Sequence, residues 1–114
     1  MLVKKYRGVS LNTKRVLRDV IFQLNKDLLL SGFRFKFDIN SNLEFFHNEL
    51  IRWLELVIVK EKNLFFSLLY RIDIHEEKVL NVANNSINNI ALLIIEREFH
   101  KVVLKQYYKG QSNG

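Results

Sequence analysis

The sequence predicts a mainly α protein, a small four- to five-helix bundle with one short strand-like connection near residues 33–39. Three observations carry that expectation. Apolar residues recur at three- and four-residue spacing along most of the chain. Proline is absent and glycine stands only at 8, 32, 110 and 114, so few positions interrupt a helix. One stretch, GFRFKFDIN at 32–40, instead alternates apolar and polar residues with a period of two. At 114 residues and 48% hydrophobic composition the chain can bury a core, and no composition shift or repeat divides it. A single domain over 1–114 is expected, with flexible ends at 1–8 and 109–114.

The first helix is expected from about Ser10 to Leu30, with Leu17, Val20, Ile21, Leu24 and Leu28 on one face and Gly32 as a left-handed cap. Asn40 or Ser41 is the expected N-cap of a second helix whose apolar face is Phe46, Leu50, Trp53, Leu54 and Val57. Its β-branched run LVIV at 56–59 blurs the C-terminal boundary. Asn63 opens a short helix ending near Asp73. Asp73 and Glu76 then stand three apart, the spacing of a capping box, and start a helical turn or two through Val79 and Leu80. The Asn-rich stretch 84–89 is expected to break that helix. The last helix carries Ile87, Ile90, Ala91, Ile94, Ile95, Phe99, Val102 and Val103 inward, with Lys101 and Lys105 suited to its negative end.

The alternating stretch invites two readings. Aromatic rings beside Arg and Lys can stack bases and neutralise phosphates. In a strand, however, Phe33, Phe35, Phe37 and Ile39 share one face while Arg34, Lys36 and Asp38 share the other, which separates rings from charges. The three Phe rings are therefore expected to cap the core, and Trp53 to lie within it. The backbone of such a strand still needs partners. It can pair with the N-terminal VKKYRGV, stay solvated, or pair with a second chain or a peptide. Phe33, Arg34, Phe35, Lys36 and Phe37 are accordingly the candidate protein-interaction residues.

Charge is unevenly placed. Residues 1–36 hold nine Lys and Arg against two Asp, 37–99 hold six against ten Asp and Glu, and 100–114 add three Lys, within a net charge of +6. If the ends meet, Lys4, Lys5, Arg7, Lys14, Arg15, Arg18, Lys101, Lys105 and Lys109 form an anion-attracting face and are the nucleic-acid candidates. The competing reading lays the basic first helix over the acidic middle.

Few chemistries find their residues here. Without Cys there is no thiolate nucleophile or disulfide, no serine sits in a Gly-x-Ser-x-Gly setting, and no Gly-rich phosphate loop exists. Glu44 with His47 and Glu96 with His100 have spacings that share a helix face, so a mixed metal site is conceivable, though surface placement is the simpler reading. His75 beside Glu76 and Glu77 reads as an exposed first turn. No catalytic residue, cofactor or resident metal is expected. No apolar run approaches the ~20 residues of a membrane span and no signal-peptide pattern is visible, so a cytoplasmic protein without membrane insertion is expected.

The run LLYRIDIHEEKV at 68–79, followed by IIEREFHKVVLKQYY at 94–108, resembles short proteins of Bacteroidota that pair a Leu-Tyr-Arg-Ile-Asp segment with a C-terminal Ile-x-x-Arg-Glu-x-x-Lys helix. The resemblance covers the C-terminal 40% or so of the chain and implies a small helical cytoplasmic protein, with no activity or site attached. Within it, Tyr70 and Ile72 are expected to close a helix onto the core and Arg71 to pair with Glu96 or Glu98. The functional expectation is a non-catalytic interaction domain that binds another protein or itself, through the GFRFKF face or the last helix. The alternative is a nucleic-acid or ribosome-associated protein holding phosphates through its basic ends.

Overall fold

Arg7 and Gly8 both adopt positive φ, 51° and 82°, and so turn the chain back on itself within two residues. A computed structural model of the chain describes residues 5–83 and 86–107, with the backbone alone at 80–83. In it, β1 (Lys5–Tyr6) and β2 (Val9–Ser10) pair antiparallel, Lys5 opposite Ser10 and Tyr6 opposite Val9. Two consecutive left-handed residues are what a two-residue hairpin requires. VKKYRGV therefore pairs with its own continuation and not with residues 33–39.

Because Ser10 belongs to β2, the first helix starts four residues later than expected: α1 spans Lys14–Leu30 and buries Val16, Leu17, Val20, Ile21, Leu24 and Leu28. Gly32 ends it as anticipated. Its φ is 106°, the Phe33 N–H donates to the Leu28 carbonyl, and the Gly32 N–H donates to that of Leu29. This paired closure satisfies two carbonyls that the helix end leaves open, and only glycine adopts the required backbone freely.

Residues 33–38 form no regular secondary structure and join no sheet. The second helix, α2 (Leu43–Lys60), is capped not by Asn40 or Ser41 but by Asn42, whose side chain accepts from the Phe45 N–H at 2.8 Å. The run LVIV stays helical, because Val57 is held in the core while Leu56 and Val59 face outward. Only Glu61 separates α2 from α3 (Lys62–Ile72), so Asn63 lies inside α3 and does not open it.

The capping box expected at Asp73 does not form. Asp73 instead closes α3 from a left-handed conformation, φ 73°, with the Ile74 N–H donating to Leu69 and the Asp73 N–H donating to Tyr70. The same closure thus appears twice, at Gly32 and at Asp73. The Asp73 carboxylate pairs with Arg97 at 3.1 Å, whereas the expected pair of Arg71 with Glu96 or Glu98 is not found among the described residues. Ile72 is buried as expected, but Tyr70 is 87% exposed.

α4 covers Glu76–Ala83, and the expected break at Asn84 and Asn85 lies outside the described residues. Ser86 caps α5 (Ile87–Val102) by accepting from the Asn89 N–H. α5 packs against all four other helices and is the axis of the core. Its Ile90, Ala91, Ile94, Ile95, Phe99 and Val102 are buried, as its periodicity predicts, each large side chain contributing about 1.5–3 kcal/mol by leaving water. A π-helical turn at Val103–Tyr107 continues α5 and keeps Val103 in the core. Five α-helices, the π-helical turn and one two-stranded sheet are found among the described residues, and none of their helices is long and apolar enough to cross a membrane.

Candidate interaction site: a groove between α1 and the extended segment

α1 spends its inward positions on the core, and its outer stripe keeps Phe22, Asn25, Lys26 and Leu29. Two of these are large apolar residues left in water: Phe22 is 60% exposed and Leu29 69%. The glycine closure at the end of α1 sends the extended segment back alongside this outer stripe. Asn25 fastens it there. Its side-chain N–H donates to the Phe37 carbonyl and its side-chain oxygen accepts from the Phe37 N–H, both at 2.8 Å. A side-chain amide thus takes the place of the neighbouring strand that the segment lacks.

The segment does not bury its rings as the period of two predicts. Phe33 and Phe37 are buried, but Phe35 is 43% exposed, so only two of the three rings close the core. The reason lies on α2. Trp53, buried as expected, receives Phe33 edge-on at 5.0 Å and Phe37 at 5.8 Å, and Phe35 stacks on it from outside at 6.1 Å with ring planes 16° apart. One indole accommodates two rings edge-on, and the third covers it.

Between α1 and the segment lies a cavity of about 490 Å³, lined by Phe22, Asn25, Lys26 and Leu29 on one side and by Phe33, Arg34, Phe35 and Lys36 on the other. A second cavity of about 330 Å³ shares Phe22, Asn25 and Lys36 and extends the groove to Phe37, Asp38 and Ile39. The larger cavity has an apolar floor and three cations, Lys26, Arg34 and Lys36, with no acidic residue in its lining. The backbone of Arg34, Phe35 and Lys36 forms no hydrogen bond within the described residues. The five interaction candidates therefore all line this groove. Phe22, Lys26 and Leu29 complete it, and the signal for them was an apolar pair on the outer face of a helix whose inner face was already complete.

The basic candidates divide. Described residues near the two ends do meet: Tyr6 stacks on His100 at 3.8 Å, the Arg15 guanidinium lies 5.7 Å from the Tyr107 ring centre, and the Tyr107 hydroxyl donates to Asp19. Burial and the Asp19 carboxylate push the Tyr107 phenol up to about 12. Lys5, Arg7, Lys14, Arg15, Arg18 and Lys105 are exposed, whereas Lys4 and Lys109 lie outside the described residues. Lys101 is withdrawn from any such face. Its ammonium sits 2.8 Å from Asp27 and 3.5 Å from Glu98, with its side chain 16% exposed.

That ion pair belongs to a cluster between α1 and α5. Gln23 donates to Asp27 at 3.2 Å, and Glu98 is fully buried with neither oxygen hydrogen-bonded. Burial, then the neighbouring Asp27, push the Glu98 carboxyl up to about 9. Burial also acts to raise Asp27, but the neighbouring Glu98 acid, the Lys101 hydrogen bond and the Lys101 charge hold it below the usual carboxylate value. At neutral pH Glu98 is thus a neutral acid beside ionised Asp27, and Lys101 balances the one remaining negative charge. Its sequence signal was an acid on each of two apolar stripes, Asp27 beside Leu24 and Leu28, and Glu98 beside Ile94, Ile95 and Phe99.

The candidate metal ligands Glu44, His47, Glu96 and His100 are not gathered: among the described residues no three His, Asp or Glu side chains form a metal-holding group. His100 is stacked under Tyr6, and burial lowers its pKa, with Glu96 opposing. Comparison of the chain with protein-family models, with curated proteins and with solved structures found no match.

Proposed function

We propose that this protein is a non-catalytic interaction domain that binds another protein in the groove between α1 and residues 33–39. The observation that carries the reading is the joint exposure of Phe22, Leu29 and Phe35 around one cavity. Large apolar side chains grouped on one face of a small protein cost solubility and add nothing to the core, which is the usual mark of a binding surface. A photo-crosslinking residue at Leu29, in cells producing the protein, should yield a discrete adduct that is lost with Phe35→Asp. The same residue at Val59, exposed on α2, should not yield it. Equal labelling from the two positions would defeat the reading.

A second reading rests on the contact of α1 with the turn at 103–107, where Arg15 lies over Tyr107 and Lys14, Arg18 and Lys105 are exposed. Such a surface holds phosphates through charge, without reading sequence. Binding to mixed RNA or DNA should then fall steeply between low and moderate salt, and absence of binding at low salt removes this reading.

A further inference from the structure

Resting on the groove reading, we infer that its occupant is an amphipathic helix of a partner protein, with acidic residues flanking its apolar stripe. The backbone decides against an extended chain. Phe33 donates to the Leu28 carbonyl and Asn25 holds both backbone groups of Phe37, so the edge shared by 33, 35 and 37 is turned toward α1. The groups of Arg34 and Lys36 point the opposite way, out of the groove. An extended occupant therefore finds no ladder to join there, whereas a helix bonds its own backbone internally and needs only side-chain contact.

The α1 wall supplies that contact at helical spacing. Phe22, Lys26 and Leu29 stand four and three residues apart, form one outward row and are all exposed. Such a row is the surface that a second helix packs against, its own side chains at three- and four-residue intervals filling the gaps. Phe22 and Leu29 lie roughly 10 Å apart along the axis, so the occupant presents apolar residues at i, i+3 or i+4, and i+7 to cover them. Phe35 lines the other side of the same cavity and closes over that stripe.

Charge sets the flanks. Lys26, Arg34 and Lys36 line the larger cavity, and among the described residues lining the groove the acid is Asp38, at the end formed by the smaller cavity. Three cations against one acid leave a positive excess, which acidic flanks complement everywhere except opposite Asp38. The same excess disfavours a second copy of this chain, because two-fold pairing of this face sets the cations against their own equivalents.

A pooled set of peptides of about 18 residues, long enough to form a helix, tests the inference, with Leu at three- and four-residue spacing in every register and Glu on the flanks. Three matched sets accompany it: one with Lys for each Glu, one with an internal Pro, and one with the same residues in strict alternation. The Glu helices should bind about tenfold tighter than each of these sets, and gain helical dichroism on binding. Phe22→Asp, at a residue mostly in water, should abolish binding without unfolding the protein. Lys26→Glu with Arg34→Glu should reverse the charge preference, and Asp38→Asn should tighten binding of the Glu set. The segment crosslinked at Leu29 should itself show the helical apolar period with acidic flanks.

Equal binding of the Lys or alternating set, or no binding by any Glu peptide while the Leu29 adduct still forms, overturns the inference and leaves the groove reading standing. A dimer in light scattering that Phe22→Asp dissolves overturns it in favour of a second copy. Capture by phosphatidylserine vesicles, with no Leu29 adduct to protein, removes both readings in favour of a lipid surface.

Discussion

The side-chain amide of Asn25 grips the backbone of Phe37 from both sides, donating to its carbonyl and accepting from its N–H, each at 2.8 Å. No other side chain among the described residues is bonded to that stretch of backbone between Phe33 and Phe37. Asn25→Ala leaves the partly buried Phe37 donor and acceptor without it, at a cost of about 1–3 kcal/mol. Asn25→Asp keeps the acceptor and loses the donor to the carbonyl, so it should also destabilise. Thermal melts give the magnitude. Hydrogen exchange at Phe37 tests the mechanism, since its amide should exchange faster in Asn25→Ala while those of α5 follow global stability alone.

The buried acid pair predicts an unusual dependence on pH. Glu98, raised to about 9, keeps its proton in the folded chain and loses it near the ordinary ~4.3 when unfolded. Between those values the folded state binds the extra proton, so stability falls as pH rises, by up to roughly 1.4 kcal/mol per pH unit. Asp27 acts oppositely. Its pKa is held low, so its contribution is present above its unfolded value of ~3.9 and is lost as pH falls through the folded one. Melting temperature should therefore peak in mild acid. Glu98→Gln, which is neutral at every pH, should flatten the decline from pH 5 to 9 and stabilise by about 1–3 kcal/mol at pH 8. A decline of equal slope in this variant would rule out Glu98 as its source.

The two helix closures differ in a way that substitution can read. At Gly32 an added Cβ meets Leu64 Cδ2 at 3.1 Å and sits at a φ of 106°, so Gly32→Ala should cost about 1–2 kcal/mol. At Asp73 the side chain already bears the left-handed strain, and the Arg97 pair it gains is largely exposed on the Asp73 side. Exposed pairs contribute about 0–1 kcal/mol and relief of the strain about 1 kcal/mol, so Asp73→Gly should be neutral or slightly stabilising. Asp73→Ala loses the pair without relieving the strain and should be the worse of the two. Denaturant midpoints at constant slope decide the order.

The inner faces of α1, α2 and α5 were legible because burial imposes a helical period that the sequence displays directly, as in Phe46, Leu50, Trp53, Leu54 and Val57. The extended segment was legible as extended but not in its packing. A period of two assumes a flat face, whereas one indole, Trp53, takes Phe33 and Phe37 edge-on and leaves Phe35 outside. Its backbone partner was invisible because Asn25 lies twelve residues away and acts through its side chain, which leaves no periodic trace. At Asp73 two local rules competed for one residue. The spacing to Glu76 favoured an N-cap, but α3 ends there and needed a left-handed residue first, a position that Asp tolerates. Lys101 was misread as surface because charge alone does not reveal that its helix places it over two buried acids.

Equal apolar bulk should have opposite consequences on the two walls of the groove. Phe22 and Leu29 are mostly in water, so Phe22→Ser and Leu29→Ser remove little buried area and should change stability by less than about 0.5 kcal/mol. Phe37 is 5% exposed, packs edge-on against Phe46 at 5.5 Å and Trp53 at 5.8 Å, and carries the backbone that Asn25 holds. Phe37→Ala should cost about 3–5 kcal/mol. Phe35→Ala falls between, since it strips the cover from Trp53 without opening a closed cavity, and a red shift of the Trp53 emission should report it at unchanged fold. If Phe22→Ser or Leu29→Ser proved as destabilising as Phe37→Ala, the outer stripe of α1 would belong to the core, and the groove would lose its standing as a surface kept for a partner.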